Sequence, residues 1–223
     1  DALFRAAAER GLDLDFHVDE TADPQARSLA LIAEGALRNR FEGRIVCGHC
    51  CSLARQEADD VDRTLDLVAK AGIGVVSLPL CNMYLMDRQA GRTPRWRGVT
   101  LLHEMKARGI PVAVASDNTR DPFYAYGDLD MVEVFTQATR ILHLDHPSGD
   151  WIRTVTTTPA SLLGDPTRGR IEAGLAADLV LFRARNWNEL CARPSGPRRV
   201  LRAGIALEHA LPDYRELDDL MEP

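Results

Sequence analysis

The feature that most constrains this 223-residue chain is a repeat of short apolar runs, each followed by a polar residue and separated from the next run by a segment of helical pattern. The runs cover residues 12–16, 44–47, 73–78 and 110–115, and they lead into His17 with Glu20, His49, Asn82 and Asp117. Between them, Ala26, Leu29, Ala30, Ala33, Ala36 and Leu37 share one face of a helix over 24–39, and Val61, Leu65 and Val68 share one over 57–71. Such alternation predicts an α/β fold with a parallel sheet. In a (β/α) barrel the reactive groups stand at the C-terminal ends of the strands, so residues distant in sequence converge there.

Further elements follow from the same periodicities. Residues 1–10 read as a helix closed by Gly11, and 98–108 as a helix closed by Gly109. Pro79 is expected to open a loop that extends over 81–94. Helices are expected over 128–144 and 150–163, the second broken at Pro159. After Gly164 the pattern changes: 170–183 alternates and 197–206 carries a second β pattern ending near Gly204. The expected division is a barrel part over 1–165 and a β appendage over 166–223.

Composition excludes some partners. A net charge of -6 leaves no concentrated basic face, so nucleic acid held through its phosphates is not expected; Arg95, Arg97, Arg198 and Arg199 read as ordinary surface charge. No apolar run approaches the ~20 residues of a membrane span, and residues 1–20 lack signal-peptide design, so a cytoplasmic protein is expected. The five cysteines have no framework spacing and read as reduced thiols. Cys47, His49, Cys50 and Cys51 do not make a zinc knuckle, because alternate residues of a strand face opposite sides and no second Cys/His pair follows.

Three strand-end groups carry chemistry. His17 offers a metal-ligand imidazole, and Glu20, three residues on, offers a carboxylate to move protons; addition of water to an sp² carbon needs both. His49 would be a second ligand or a proton carrier, or else a hydrogen-bonded core histidine. Asp117 emerges from a doubly buried run, where a cation would compensate its charge; otherwise it is a turn former or helix cap. His and carboxylate donors suit zinc, iron and manganese alike. His103, His143, His146 and His209 read as surface or packing residues.

His17-x-x-Glu20, Gly48-His49 and Ser116-Asp117-Asn118-x-x-Asp121-Pro122, in this order and spacing, resemble the second half of the amidohydrolase superfamily barrel, and most of all cytosine deaminases. The Asn82 loop, Thr93 to Val99, and the run Gly169-Arg170-Ile171-Glu172-Ala173-Gly174 strengthen the resemblance, which covers nearly the whole chain. It implies strands 5–8 of a (β/α)8 TIM-type barrel plus part of a small β-sandwich domain. It implies one divalent ion, Zn²⁺ or Fe²⁺, with His17 and Asp117 as ligands, Glu20 as proton shuttle, His49 assisting hydration, and Asp117 also able to accept a proton. Asn82, Asn118 and Phe123 would bind substrate. Asn118 stands where such enzymes often have a second Asp, and Phe123 where they commonly have Trp, so the ring edge being read would differ.

The implied reaction is hydrolytic deamination of a cytosine-like pyrimidine or related N-heterocycle, with water as co-substrate and ammonia as product, by a homo-oligomer. Rival readings keep the fold: a triazine or cyclic amide hydrolase, a purine or pterin deaminase, or an inactive half-barrel remnant. The family takes two further ligands from a His-x-His pair on its first strand. No His-x-His occurs here, so upstream sequence is expected to be missing, and these 223 residues alone are expected to be inactive.

Overall fold

The computed structural model describes residues 1–145, 150–207 and 212–221, which form two compact units, Asp1–Arg170 and Ile171–Pro223. The first unit opens with α1 (Ala2–Glu9) and then alternates β1 (Leu14–Val18), α2 (Ser28–Asn39), β2 (Ile45–His49), α3 (Ala58–Ala71) and β3 (Gly74–Ser77). Short helices α4 (Pro79–Leu85) and α5 (Leu102–Ala107) lead to β4 (Val112–Val114), followed by α6 (Met131–Leu142) and α7 (Thr157–Leu162). The strands pair in the order β1-β2-β3-β4, all parallel, with Leu14 opposite Ile45, Val46 opposite Gly74 and Val75 opposite Val112. The expected α/β alternation and parallel sheet are therefore present.

Local chemistry explains where the helices begin and end. Asp19 accepts the backbone N–H of Ser28 at 2.9 Å and of Leu29 at 2.9 Å, satisfying two donors that the first turn of α2 leaves open. For that reason α2 begins at Ser28 rather than near Pro24. In α3, Asp59 and Asp60 lie in the first turn and Lys70 in the last, each favourable to the helix dipole, and Gly72 closes the helix at φ 66. Val61, Leu65 and Val68 are its buried residues, as the spacing predicts. With Leu29, Ile73, Val75, Met105 and Val114 they form the core beneath the sheet. Strands β2 and β4 are almost entirely buried, whereas β1 alternates and leaves Asp15 and His17 exposed.

Three expectations need correction. The chain after β3 begins with a helix, Pro79–Leu85, before the expected loop, because Pro79 occupies the first helical position, where its missing N–H costs nothing. Residues 98–101 are not helical: Gly98 adopts φ 74, and a Cβ there would lie 2.7 Å from the Asn82 carbonyl oxygen and 2.3 Å from Met86 Cβ. The segment 150–163 breaks at Thr156, between a 3₁₀ turn (Trp151–Val155) and α7, and Pro159 sits harmlessly in the first turn of α7.

The second unit is an antiparallel sheet of β5 (Leu179–Phe182), β6 (Arg198–Arg202) and β7 (Ile205–Leu207), with α8 (Trp187–Ala192) between β5 and β6. Only the last part of the alternating 170–183 run is strand. The 197–206 pattern is a hairpin, since Ala203 (φ 48) and Gly204 (φ 80) make the two-residue turn that matches strand twist. Asp178 accepts the Ala203 N–H at 2.8 Å and holds that turn. Among the described residues no helix is long and apolar enough to cross a membrane.

Cys47, Cys50, Cys51 and Cys81 are fully buried. Burial pushes the Cys47, Cys51 and Cys81 thiols up to about 12, and Cys50 well above its ordinary value for the same principal reason. All four are thus held as thiols, and native alkylation at neutral pH is expected to modify them at least ~100-fold more slowly than after unfolding, as read by mass spectrometry over time. Asp19→Ala is expected to lower the unfolding free energy by ~1–2 kcal/mol, measured by urea denaturation, through loss of the α2 cap.

Candidate metal centre and active site

The polar residues gather where the parallel strands end, on turns of unusual backbone. Asp19, His49, Cys50 and Asp117 have φ of 56, 69, 51 and 65, a left-handed region that costs non-glycine residues of order ~1 kcal/mol each. Backbone hydrogen bonds hold these turns: Cys50 N–H donates to Val18 O at 3.0 Å, and Ser52 N–H to Asp19 O at 3.0 Å. The turn at Asp19 separates two carboxylates with different surroundings. Asp19 is buried against α2, while Glu20 remains exposed on the strand-end side.

Glu20, His49 and Asp117 present ligand atoms that all lie within 4.8 Å of one another. His49 is only 2% exposed and is engaged at both ring nitrogens. Its Nε2 lies 3.1 Å from His17 Nδ1; its Nδ1 lies 3.0 Å from Asn82 Nδ2 and 3.3 Å from Glu20 Oε1. Asn82, 1% exposed on α4, also donates from Nδ2 to Glu20 Oε1 at 2.9 Å. Four strand-end segments are thereby joined in one polar cluster. His17 and Asp117 line a cavity of about 510 Å³ over the sheet, together with Gly48, Val76, Leu78 and Ala115.

The next residues out are tied to one another. Asn118 Oδ1 accepts from the Cys81 thiol at 3.5 Å, and its Nδ2 donates to Asp121 Oδ2 at 2.5 Å. Asp121 also accepts the N–H groups of Phe123 and Tyr124, each at 2.9 Å; the Tyr124 N–H and the Asn118 amide hold its carboxyl below the usual carboxylate range. Burial first, and then the Asp117 carboxylate beside it, raise the Cys81 thiol, so its single hydrogen stays on sulfur and goes to Asn118 Oδ1. Phe123 is 60% exposed, and its ring is not drawn into the cluster.

Sequence reasoning passed over Tyr84 and Tyr126. With Tyr124 they form a group of edge-to-face rings at centroid separations of 5.4, 5.7 and 5.8 Å, with the Arg88 guanidinium 4.2 Å over Tyr84. The available signal was their place in the two segments that follow β3 and β4. Two of the remaining histidines are structural: His103 Nε2 meets Leu142 O at 2.8 Å, and His143 meets Arg97 at 3.0 Å. His146 and His209 lie outside the described residues.

Two imidazoles and two carboxylates converging at strand ends form a donor set that fits a zinc- or iron-type divalent ion. Asp117 belongs both to the ligand pair implied by the sequence and to the group whose atoms lie within 4.8 Å; His17 reaches that group through its contact with His49.

The model of the "Amidohydrolase family" matches residues 1–204. A pterin deaminase of Rhizobium rhizogenes (strain K84 / ATCC BAA-868) is 63% identical over 221 residues, covering 99% of this chain and 51% of that protein. An N-isopropylammelide isopropyl amidohydrolase of Pseudomonas sp. (strain ADP) is 27% identical over 184 residues, covering 82% of this chain and 42% of that protein. The crystal structure of 5-methylcytosine deaminase from Klebsiella pneumoniae liganded with 5-fluorocytosine superposes with TM-score 0.82 at 26% identity, covering 95% of this chain and 52% of that one. The chain spans about half the length of the curated relatives it matches. With a family match that runs from the first residue through β6, the chain belongs to the amidohydrolase family.

Proposed function

We propose that this chain carries part of the active site of a metal-dependent aminohydrolase, which replaces an exocyclic amino group of an N-heterocycle by oxygen and releases ammonia. The observation that carries the proposal is the convergence of Glu20, His49 and Asp117 within 4.8 Å at the C-terminal ends of parallel strands. In this reading β1 to β4 are strands 5–8 of a (β/α)8 barrel, and the second unit is part of a β-sandwich. The ring is a bicyclic pterin-type amidine rather than a cytosine. The 63% identity to a pterin deaminase supports that choice, as do Asn118 and Phe123 at the positions where cytosine deaminases often carry Asp and Trp.

In this reading His17 and Asp117 hold one divalent ion, zinc or iron. When bound, the ion supplies Lewis-acid chemistry that makes water a competent nucleophile near neutral pH. Glu20, exposed and anchored at Oε1 by Asn82, takes one proton from the attacking water and delivers it to the ring nitrogen. His49 holds its place through contacts at both ring nitrogens and orients the attack; the Asp117 carboxylate accepts the second proton of the water and passes it to the departing amino group, which leaves as ammonia. The Tyr84, Tyr124 and Tyr126 rings offer an aromatic flank to a flat substrate.

In the complete enzyme, Glu20→Gln is expected to lower kcat by ~10²–10⁴ while metal content, measured by elemental analysis, stays at the wild-type level. Ammonia release from pterin, compared with cytosine and with ring-opened product, separates the substrate classes. Wild-type kcat in Glu20→Gln overturns the shuttle role. Substoichiometric metal in the full-length protein, together with no turnover of either ring, favours the non-catalytic remnant reading.

A further inference from the structure

We propose that Asn82 sets the direction of the hydrogen-bond chain through His49 and His17, and that a cation held by His17 must reverse that direction. An amide NH₂ group has two hydrogens to give and no lone pair to offer. Asn82 Nδ2 spends one on Glu20 Oε1 at 2.9 Å and the other on His49 Nδ1 at 3.0 Å. The opposite amide orientation would set Asn82 Oδ1 against the Glu20 carboxylate oxygen, acceptor against acceptor, so Nδ2 is the atom that belongs there.

The consequence runs along the two imidazoles. Because His49 Nδ1 accepts, the neutral ring carries its proton on Nε2, which donates to His17 Nδ1 at 3.1 Å. His17 then accepts at Nδ1 and carries its own proton on Nε2, where a cation cannot bind. Ligation through His17 Nε2 requires the other sense: His17 Nδ1–H donates to His49 Nε2, and His49 Nδ1–H donates to Glu20 Oε1, 3.3 Å away. In that sense Asn82 Nδ2 faces an N–H, and its amide must turn away. Both senses hold the same number of protons on the two rings, and no group changes its charge.

Asn82 is well placed for this role. It is 1% exposed, its backbone N–H donates to Leu78 O at 3.0 Å, and its carbonyl accepts from Met86 N–H at 2.8 Å. With its amide nitrogen committed to two protein groups, it is a positioning residue in this proposal, and direct reading of the substrate falls to other groups. The second half of the inference rests on the proposed ligation by His17; the first half does not.

The test is two-bond ¹H–¹⁵N spectroscopy of the full chain labelled in its histidine rings, at about pH 8, where free imidazole is neutral. His49→Gln identifies the His49 signals. In chelator-treated wild type, His49 is expected to show protonated Nε2 and unprotonated Nδ1. In Asn82→Leu and Asn82→Asp the proton is expected on Nδ1, drawn by Glu20, so the two ¹⁵N positions exchange. A protonated Nδ1 in metal-free wild type overturns the proposal even if neither variant folds, and so does an unchanged ring in a folded variant. On zinc addition the wild-type ring is expected to switch to Nδ1–H. Stoichiometric zinc with no switch overturns the reversal, and zinc uptake that His17→Ala leaves unchanged overturns ligation by His17; the metal-free spectra decide the role of Asn82.

Discussion

The parallel register between β1 and β2 is the constraint on which the site depends. It sets His17 opposite Gly48 and Val18 opposite His49, so that the two histidines meet at one end of the sheet although 31 residues lie between them in the chain. A slip of one residue would turn His17 to the helix-covered face and Phe16 to the open one. The register is held by what lies beneath: Ile45, Cys47, Ile73 and Val75 are buried, as are Leu29, Leu65 and Val68 of α2 and α3, and a shift would expose several strand residues together. Chemistry on the open side is thus indexed by apolar packing on the other.

The strand ends carry a cost that the core offsets. Four non-glycine residues in left-handed conformations would be unstable in an isolated peptide. Here the turns at Asp19 and at His49–Cys50 are held by backbone hydrogen bonds between the two segments, and the residues concerned are mostly types whose short polar side chains tolerate that geometry. The turn at Asp19 also divides labour between adjacent carboxylates: one stabilises a helix, and the other is left for solvent-facing chemistry.

Much of this arrangement was legible in the sequence because it repeats. Apolar runs and helical faces located the sheet, and the polar residue after each run located His17, Glu20, His49 and Asp117. Pro79 was harder to read, since proline opens loops and helices equally well, and the helix it opens is what delivers Asn82. The bond from Asn82 to Glu20 spans 62 positions and leaves no periodic trace. The ties of Asn118 to Cys81 and Asp121 were hidden for the same reason: side-chain hydrogen bonds between loops follow three-dimensional placement, which no local pattern encodes.

Gly98 shows how far the demands of such a centre extend. It has no reactive atom and lies 16 positions from Asn82, yet its bare backbone rests against the Asn82 carbonyl. Any side chain there would press on the helix that aims the amide. Sequence drift in the long segment after α4 is therefore not free: a neutral-looking exchange at that glycine would be felt as a misplaced proton at two imidazoles.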